Sequence, residues 1–179
     1  MNSSRNDDAD PRPNSVLVVV DFGSAVEVGA WSAIDDVVMG GVSSSALVAS
    51  DEGTALFTGA VSMDKGGGFA SVRSPDRARA LAGRQGLRVH SRGDGQRYKL
   101  RVRTSADFEG IAYQIPFVTQ HLAWSTTELA FVDFVPVLRG RVVPGAAPLD
   151  PGAIVSFGFL ISDRQAGRFR LDLARIEAF

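Results

Sequence analysis

Cysteine is absent from this chain of 179 residues, and its absence excludes several kinds of site at once. Without thiols there can be no disulfide, no thiolate metal ligand and no cysteine nucleophile. A chain without disulfides suits a reducing compartment. We therefore expect a domain stabilised by its hydrophobic core and placed in the cytoplasm.

Strong net charge and long apolar runs are missing too. The 19 basic and 20 acidic residues give a formal net charge of -1, so no global field favours nucleic acid or an anionic membrane. The longest apolar runs, such as residues 16–20, are far shorter than the roughly 18 residues of a membrane span. We expect no nucleic-acid partner and no membrane insertion.

The amino-terminal segment lacks the basic start and the apolar stretch of a signal peptide. Residues 1–14 are instead polar and contain proline, which predicts a disordered tail. Residues 15–179 have the length of one domain.

What the chain does have is a series of short β-like segments between clusters of glycine. Residues 97–103 alternate between basic and apolar side chains, so one face of the predicted strand carries four cations. These are Arg97, Lys99, Arg101 and Arg103. The Gly93-Asp94-Gly95 turn before them predicts a hairpin with residues 86–91.

Other patterns complete the predicted architecture. Residues 74–83 give the only helical signal, with Ser74 as cap, Pro75 in the first turn and Gly83 at the end. The alternation in residues 167–179 slips after Leu173, which predicts a bulge. About ten short strands with one short helix predict an all-β antiparallel sandwich or barrel.

Catalytic signatures are few. The only histidines, His90 and His121, lie in strand-like stretches without a neighbouring carboxylate, which favours a structural role. There is no G-x-S-x-G elbow, although spacing alone does not exclude a triad. The Gly66-Gly67-Gly68 run lacks the ending of a phosphate-binding loop.

The adjacent carboxylates Asp35 and Asp36 allow two interpretations. They are suited to a calcium site or to acid–base chemistry. Alternatively, they accept backbone N–H groups and hold the following Met39-Gly40-Gly41 turn. We favour the structural interpretation, because adjacent strand residues face opposite ways and the EF-hand pattern is absent.

The basic stripe is the best candidate for a surface that binds a partner or ligand. Arg73 and the opposite arm, with Arg88 and Arg92, are candidates to extend it. Such a stripe is suited to bind an acidic protein or to receive a ligand on the face of the sheet. The residues alone favour the other interpretation, a solvated outer face of the hairpin. The aromatic residues offer a platform for sugar stacking or, as we favour, core packing. They are Trp31, Tyr98, Tyr113 and Trp124.

Several motifs follow one another in a fixed order over roughly residues 16–179. They are Trp31-x3-Asp35-Asp36-x2-Met39-Gly40-Gly41-x-Ser43, Gly67-Gly68-Phe69, Gly93-Asp94-Gly95-x2-Tyr98, Tyr113-Gln114, Phe134-x-Pro136 and Pro148-Leu149-Asp150. In this order the motifs resemble the complex I intermediate-associated protein 30 family. The motif residues to which we assign a structural role are Trp31, Asp35, Asp36, Met39, Gly40, Gly41, Ser43, Gly68, Phe69, Gly93, Asp94, Gly95 and Tyr98. Asp35 stands where the family usually has asparagine.

The resemblance implies a jelly-roll sandwich like that of galactose-binding domains and no established catalytic residues or cofactor. Eukaryotic members look like assembly chaperones of respiratory complex I, and the missing Arg-rich presequence favours a bacterial member. We thus expect a non-enzymatic interaction module whose partner belongs to a respiratory or photosynthetic complex. The alternative, by analogy of fold, is a module that binds carbohydrate or another small ligand.

Overall fold

Two β-sheets packed face to face make up the computed structural model, which describes residues 16–179. The tail predicted over residues 1–14 lies outside the described residues. The strands are β1 (Leu17–Asp21), β2 (Ser32–Ala33), β3 (Ser44–Ser50), β4 (Thr54–Val61), β5 (Ala70–Arg73), β6 (Gly86–Gly93), β7 (Arg97–Arg103), β8 (Ala112–Val118), β9 (Trp124–Ala130), β10 (Val135–Leu138), β11 (Arg141–Val142), β12 (Ser156–Ile161) and β13 (Gly167–Ala178).

Six strands form one sheet in the order β3-β4-β13-β6-β9, with β1 also paired to β13. The other sheet has seven strands in the order β11-β10-β8-β7-β12-β5-β2. All these strand pairs are antiparallel, and the prediction of an all-β fold is confirmed. None of the helices within residues 16–179 has the length and apolar character needed to cross a membrane.

The last strand, β13, organises the six-stranded sheet. It pairs with β4 and β1 along one edge and with β6 along the other. Its register with β6 shifts between Leu173 and Arg175, so the predicted bulge is confirmed. The extra residue lets Ile176 return to the core after Leu173, and both side chains are fully buried.

Aromatic side chains fill both ends of the core. Trp31 lies between Phe22 and Phe159, with ring centroids 5.3 and 6.0 Å away. Near the other end, Tyr98 contacts Phe57 and other rings at 6.2–6.4 Å. Burial of such rings contributes much of the hydrophobic stabilisation of a sandwich.

The predicted hairpin of residues 86–91 with the basic strand is wrong, because β6 and β7 belong to different sheets. The Gly93-Asp94-Gly95 segment carries the chain from one sheet to the other. Asp94 accepts hydrogen bonds from the Tyr98 hydroxyl at 3.0 Å and the Arg170 N–H at 2.8 Å. The contact with Arg170, 76 residues away and invisible in the local sequence, helps direct the turn across the sandwich.

The predicted helix at residues 74–83 is also wrong. The N–H groups of Ser74 and Arg77 donate to carbonyls of residues 157 and 155, so the segment runs extended beside β12. The α-helix is instead α1 (Ala25–Gly29), where the Ser24 hydroxyl accepts from the Glu27 N–H at 3.2 Å. Four short 3-10 helices lie at Asp36–Met39, Asp64–Gly66, Phe131–Asp133 and Pro151–Ala153.

Replacing Tyr98 by phenylalanine tests the crossing between the sheets. The Y98F variant loses a hydrogen bond to a carboxylate, so we expect the free energy of unfolding to fall by about 1.5–3 kcal/mol. The control is Y113F, since the Tyr113 hydroxyl donates to the neutral carbonyl of Ala147 at 3.0 Å. We expect Y113F to cost about 0.5–1.5 kcal/mol in urea denaturation. An equal loss in both variants would contradict the role given to Asp94.

Candidate functional site

Asp36 is the centre of a buried hydrogen-bonded cluster. Its Oδ1 accepts the Ser43 N–H at 2.9 Å. Its Oδ2 accepts the Ser43 hydroxyl at 2.5 Å and the N–H groups of Gly68 and Phe69 at 2.7 and 3.2 Å. The side chain is fully buried. Burial opposes ionisation, but these four hydrogen bonds outweigh it and lower the pKa of Asp36.

Asp35 makes a second set of bonds beside the first. Its carboxylate accepts the Ser45 N–H at 2.8 Å, the Ser45 hydroxyl at 2.6 Å and the Ser71 N–H at 2.9 Å. An aspartate carboxylate is suited to this place because each of these three neighbouring groups donates a hydrogen bond. The NH2 group of an asparagine would itself be a donor and would face one of these donors. Protein donors thus occupy the positions around both carboxylates that a calcium ion would need.

Two glycines allow the chain to approach Asp36 closely. A Cβ on Gly41 would lie 2.2 Å from Oδ1, and a Cβ on Gly67 would lie 2.6 Å from Oδ2. Gly40 has a φ of 90°, which ends the 3-10 helix in a left-handed conformation. The glycine pair in the motif is therefore explained by space and backbone conformation together.

The 3-10 turn held by this cluster presents apolar side chains to solvent. Val37, Val38 and Met39 are 61, 69 and 66% exposed. The side chain of Met39 therefore lies at the surface of the domain. An exposed apolar patch of this kind is typical of an interaction site.

The turn forms one border of a groove of about 610 Å³ on the outer face of the seven-stranded sheet. Alternation along β7 and β12 places the floor residues. Lys99, Arg101 and Arg103 point outward from β7, paired in register with Leu160, Gly158 and Ser156 of β12. Val38, Met39, Phe108 and Leu138 also line the groove.

Positive charge dominates the lining. Five cations and two carboxylates line the groove, although the whole chain has a net charge of -1. Lys99 pairs with Asp163 at 2.6 Å, and Arg139 pairs with Glu109 at 2.5 Å. Both lining carboxylates thus have partners, and the remaining cations on the floor outnumber them.

The three arginines of the floor differ in their hydrogen-bond partners. Arg73 donates to Asp76 at 2.6 Å and to the Ser156 hydroxyl at 3.2 Å. Arg103 donates only to backbone carbonyls, those of residues 107 and 110. Arg101 donates to Gln114 Oε1 at 2.9 Å. Within residues 16–179, neither Arg101 nor Arg103 forms an ion pair with a carboxylate.

The positive charges of the floor arginines repel one another. Burial lowers the pKa of Arg101 to about 10, with the Arg103 guanidinium as a second cause. Burial, followed by the charge of Arg73, also lowers the pKa of Arg103. Arg101 therefore remains protonated at neutral pH, where it has no carboxylate partner within residues 16–179.

Phe108 provides the apolar surface inside the groove. Its ring is 48% exposed. The guanidinium carbons of Arg73 and Arg103 lie 5.9 and 5.6 Å from its centroid. The sequence offered no signal for Phe108, because it lies in an irregular loop outside any alternating pattern.

Arg73, Lys99, Arg101 and Arg103 of the predicted face come together in the groove, but Arg88 does not. Arg88 lies on β6 in the other sheet, where it pairs with Glu128 at 2.8 Å. Its inclusion rested on the hairpin that does not form. Arg97 is exposed at the end of β7, beside Gln165 and outside the groove lining.

Three of the four candidate aromatic residues pack in the core, as favoured, and do not form a platform for sugar. Trp31, Tyr98 and Tyr113 are buried. Trp124 is 43% exposed, but it lies on the six-stranded sheet under the guanidinium of Arg92 at 5.0 Å. Among the aromatic residues that line the groove, Phe108 is the exposed one.

The histidines lie away from the groove. His90 Nε2 contacts Glu177 Oε2 at 2.7 Å across β6 and β13, so its carboxylate partner comes from a distant strand. His121 Nδ1 lies 3.1 Å from the Asp94 carbonyl oxygen. Among residues 16–179, no group of three His, Cys, Asp or Glu side chains is arranged to hold a metal ion.

Comparisons with known proteins agree with this architecture. The family model described as complex I intermediate-associated protein 30 matches residues 20–173. No curated protein sequence matches the chain.

Solved structures of similar fold include carbohydrate-binding modules. A family 11 module from Clostridium thermocellum, in complex with a β-1,3-1,4-mixed-linked tetrasaccharide, has a TM-score of 0.64 and 18% identity, with 92% of this chain and 95% of that chain covered. The family 11 module of the cellulosomal cellulase Lic26A-Cel5E of the same organism has a TM-score of 0.66 and 17% identity. The match covers 92% of this chain and 94% of that chain. A family 29 module has a TM-score of 0.51 and 12% identity, with 92% of this chain and 91% of that chain covered. At these identities the similarity concerns the fold.

Replacing Asp36 by asparagine tests the buried cluster. One acceptor oxygen becomes an amide that faces three donors, so we expect the D36N variant to lose about 1–3 kcal/mol of unfolding free energy at pH 7. A lowered aspartate pKa stabilises the fold above its ordinary value of 3.8, and this stabilisation is lost as the pH falls through the folded-state pKa. The deficit of D36N should therefore shrink in acid.

The matched control is D51N, because Asp51 is exposed in the turn between β3 and β4. Its unfolding curve in urea should overlay that of the wild type. A D36N protein as stable as D51N at pH 7 would show that the cluster does not hold the turn.

Proposed function

Because the chain belongs to the complex I intermediate-associated protein 30 family, we propose that it is a non-enzymatic binding module that docks an acidic segment of a protein partner in its groove. The partner class is a subunit or assembly factor of a respiratory or photosynthetic complex. The proposal depends on one observation above the others, namely a cationic groove bordered by exposed apolar side chains.

The residue types in the groove support a protein partner. Arginine, methionine and aromatic residues are enriched at protein interfaces, and all three occur here. Exposed Val38 and Met39 supply apolar contact area, while Arg101 and Arg103 supply unpaired positive charge. Charge complementarity with an acidic segment accelerates association and selects among partners.

A carbohydrate ligand is the second candidate, favoured by the fold shared with modules such as the one solved with a tetrasaccharide. The polar floor, with Gln114 and Ser156, offers partners for hydroxyl groups. Against this, the exposed tryptophan lies on the other sheet and the floor charge has no use with a neutral sugar. Affinity electrophoresis with neutral mixed-linked β-glucan separates the two candidates.

A charge introduced beside the floor arginines tests the docking site. In the F108E variant a carboxylate replaces the ring between Arg73 and Arg103, so it competes with an acidic partner for their charge. We expect native pull-down with mass spectrometry to recover partner proteins with the wild type and at least about tenfold less with F108E. Thermal unfolding should show that F108E remains folded.

The matched control is W124E, since Trp124 is also an exposed ring beneath an arginine but lies on the six-stranded sheet. W124E should recover the same partners as the wild type. Loss with W124E and retention with F108E would move the docking site to the other sheet. Binding of neutral β-glucan that F108E abolishes, with no protein recovered, would favour the carbohydrate candidate.

A further inference from the structure

Arg101 is the least satisfied cation in the groove. Its Nε atom is buried and has no hydrogen-bond partner within residues 16–179, and its one side-chain bond goes to the neutral amide oxygen of Gln114. A buried guanidinium normally has a carboxylate partner, because leaving a desolvated charge unpaired is costly. The fold therefore holds Arg101 in a state that a stabilising role does not explain.

The surroundings of Arg101 leave room above its guanidinium. Its register partner on β12 is Gly158 and its partner on β8 is Gln114. Gly158 and Arg101 both line the groove, while Gln114 accepts a hydrogen bond from the guanidinium on the other side. Arg103 and Arg73 add positive charge from the same face.

The carboxylates near the floor do not pair with Arg101. Asp163 pairs with Lys99, Glu109 with Arg139 and Asp76 with Arg73. The charge of Asp107 acts on Arg103. Within the described part of the chain, no carboxylate forms an ion pair with Arg101. An anion that enters the groove is the partner that would complete its hydrogen bonds.

We propose that Arg101 is the specificity-determining residue of the groove and binds a side-chain carboxylate, Asp or Glu, of the docked protein segment through its terminal guanidinium nitrogens. This proposal rests on the docking function above and names the group recognised. The planar fork of arginine matches a carboxylate in a way that lysine does not. Arg103 contributes charge but is held by backbone carbonyls, so it supports Arg101 and does not replace it.

If Arg101 serves binding at the expense of stability, its replacement raises the melting temperature and abolishes binding. In the R101M variant an apolar side chain of similar length replaces the unpaired buried cation. We expect the melting temperature to rise by about 2–4 °C, while carboxylate binding is lost. The control is R88M, which removes an arginine paired with Glu128 on the other sheet and should not raise the melting temperature.

Binding is measured with a synthetic peptide of alternating glutamate and serine and with its glutamine counterpart. We expect the glutamate peptide to bind the wild type at least about tenfold more tightly than it binds R101M, and more tightly than the glutamine peptide binds the wild type. The R101K variant should be intermediate, because it keeps the charge and loses the fork. R88M should bind like the wild type.

Several results would overturn the proposal. A lower melting temperature in R101M would make Arg101 a structural residue. Equal peptide affinity in R101M and the wild type would remove it from the site, as would binding of oligogalacturonate in place of the peptide. Partner capture lost with F108E but kept with R101M would leave the docking function standing without this carboxylate contact. Capture kept with F108E would reject the docking site itself.

Discussion

The buried carboxylate of Asp36 is the interaction on which the organisation of this face depends. It joins residues 43, 68 and 69 by four hydrogen bonds, and Asp35 joins residues 45 and 71 in the same way. The segments that lead into β3 and β5 are therefore fixed to one turn. A buried charge satisfied by several donors is specific about its surroundings, since loss of any donor leaves part of the charge uncompensated.

Arginines on the two outer faces of the sandwich differ in their ion pairing. On the six-stranded sheet, Arg88, Arg92, Arg170 and Arg175 each pair with a carboxylate. On the seven-stranded sheet, Arg101 and Arg103 do not pair in this way within residues 16–179. Positive charge therefore accumulates where Arg101 and Arg103 lie together, although Arg73 on the same sheet pairs with Asp76. The accumulated charge coincides with exposed apolar side chains, which is why we assign binding to the seven-stranded sheet.

Sequence patterns predicted the features that depend on near neighbours. Alternation in β7 and β13 placed the apolar and basic faces, and the slip after Leu173 located the bulge. The patterns failed where distant partners decide the structure. Residues 93–95 look like a hairpin turn, but contacts of Asp94 with β13 direct the chain to the other sheet. Residues 74–83 carry helix signals, but hydrogen bonds to residues 155 and 157 keep them extended. The groove has no local signature, since β5, β7, β8 and β12 meet only through long-range pairing.

The way the 3-10 turn is held has a consequence for how this surface changes during evolution. Its anchors are one carboxylate and the backbone N–H groups it accepts, together with glycines that leave space for that carboxylate. The side chains of Val37, Val38 and Met39 take no part in the anchoring. Substitutions there alter what the surface presents while the scaffold beneath stays the same. The turn therefore resembles a variable loop on a constant frame, and new partners can be acquired without renewed selection for folding.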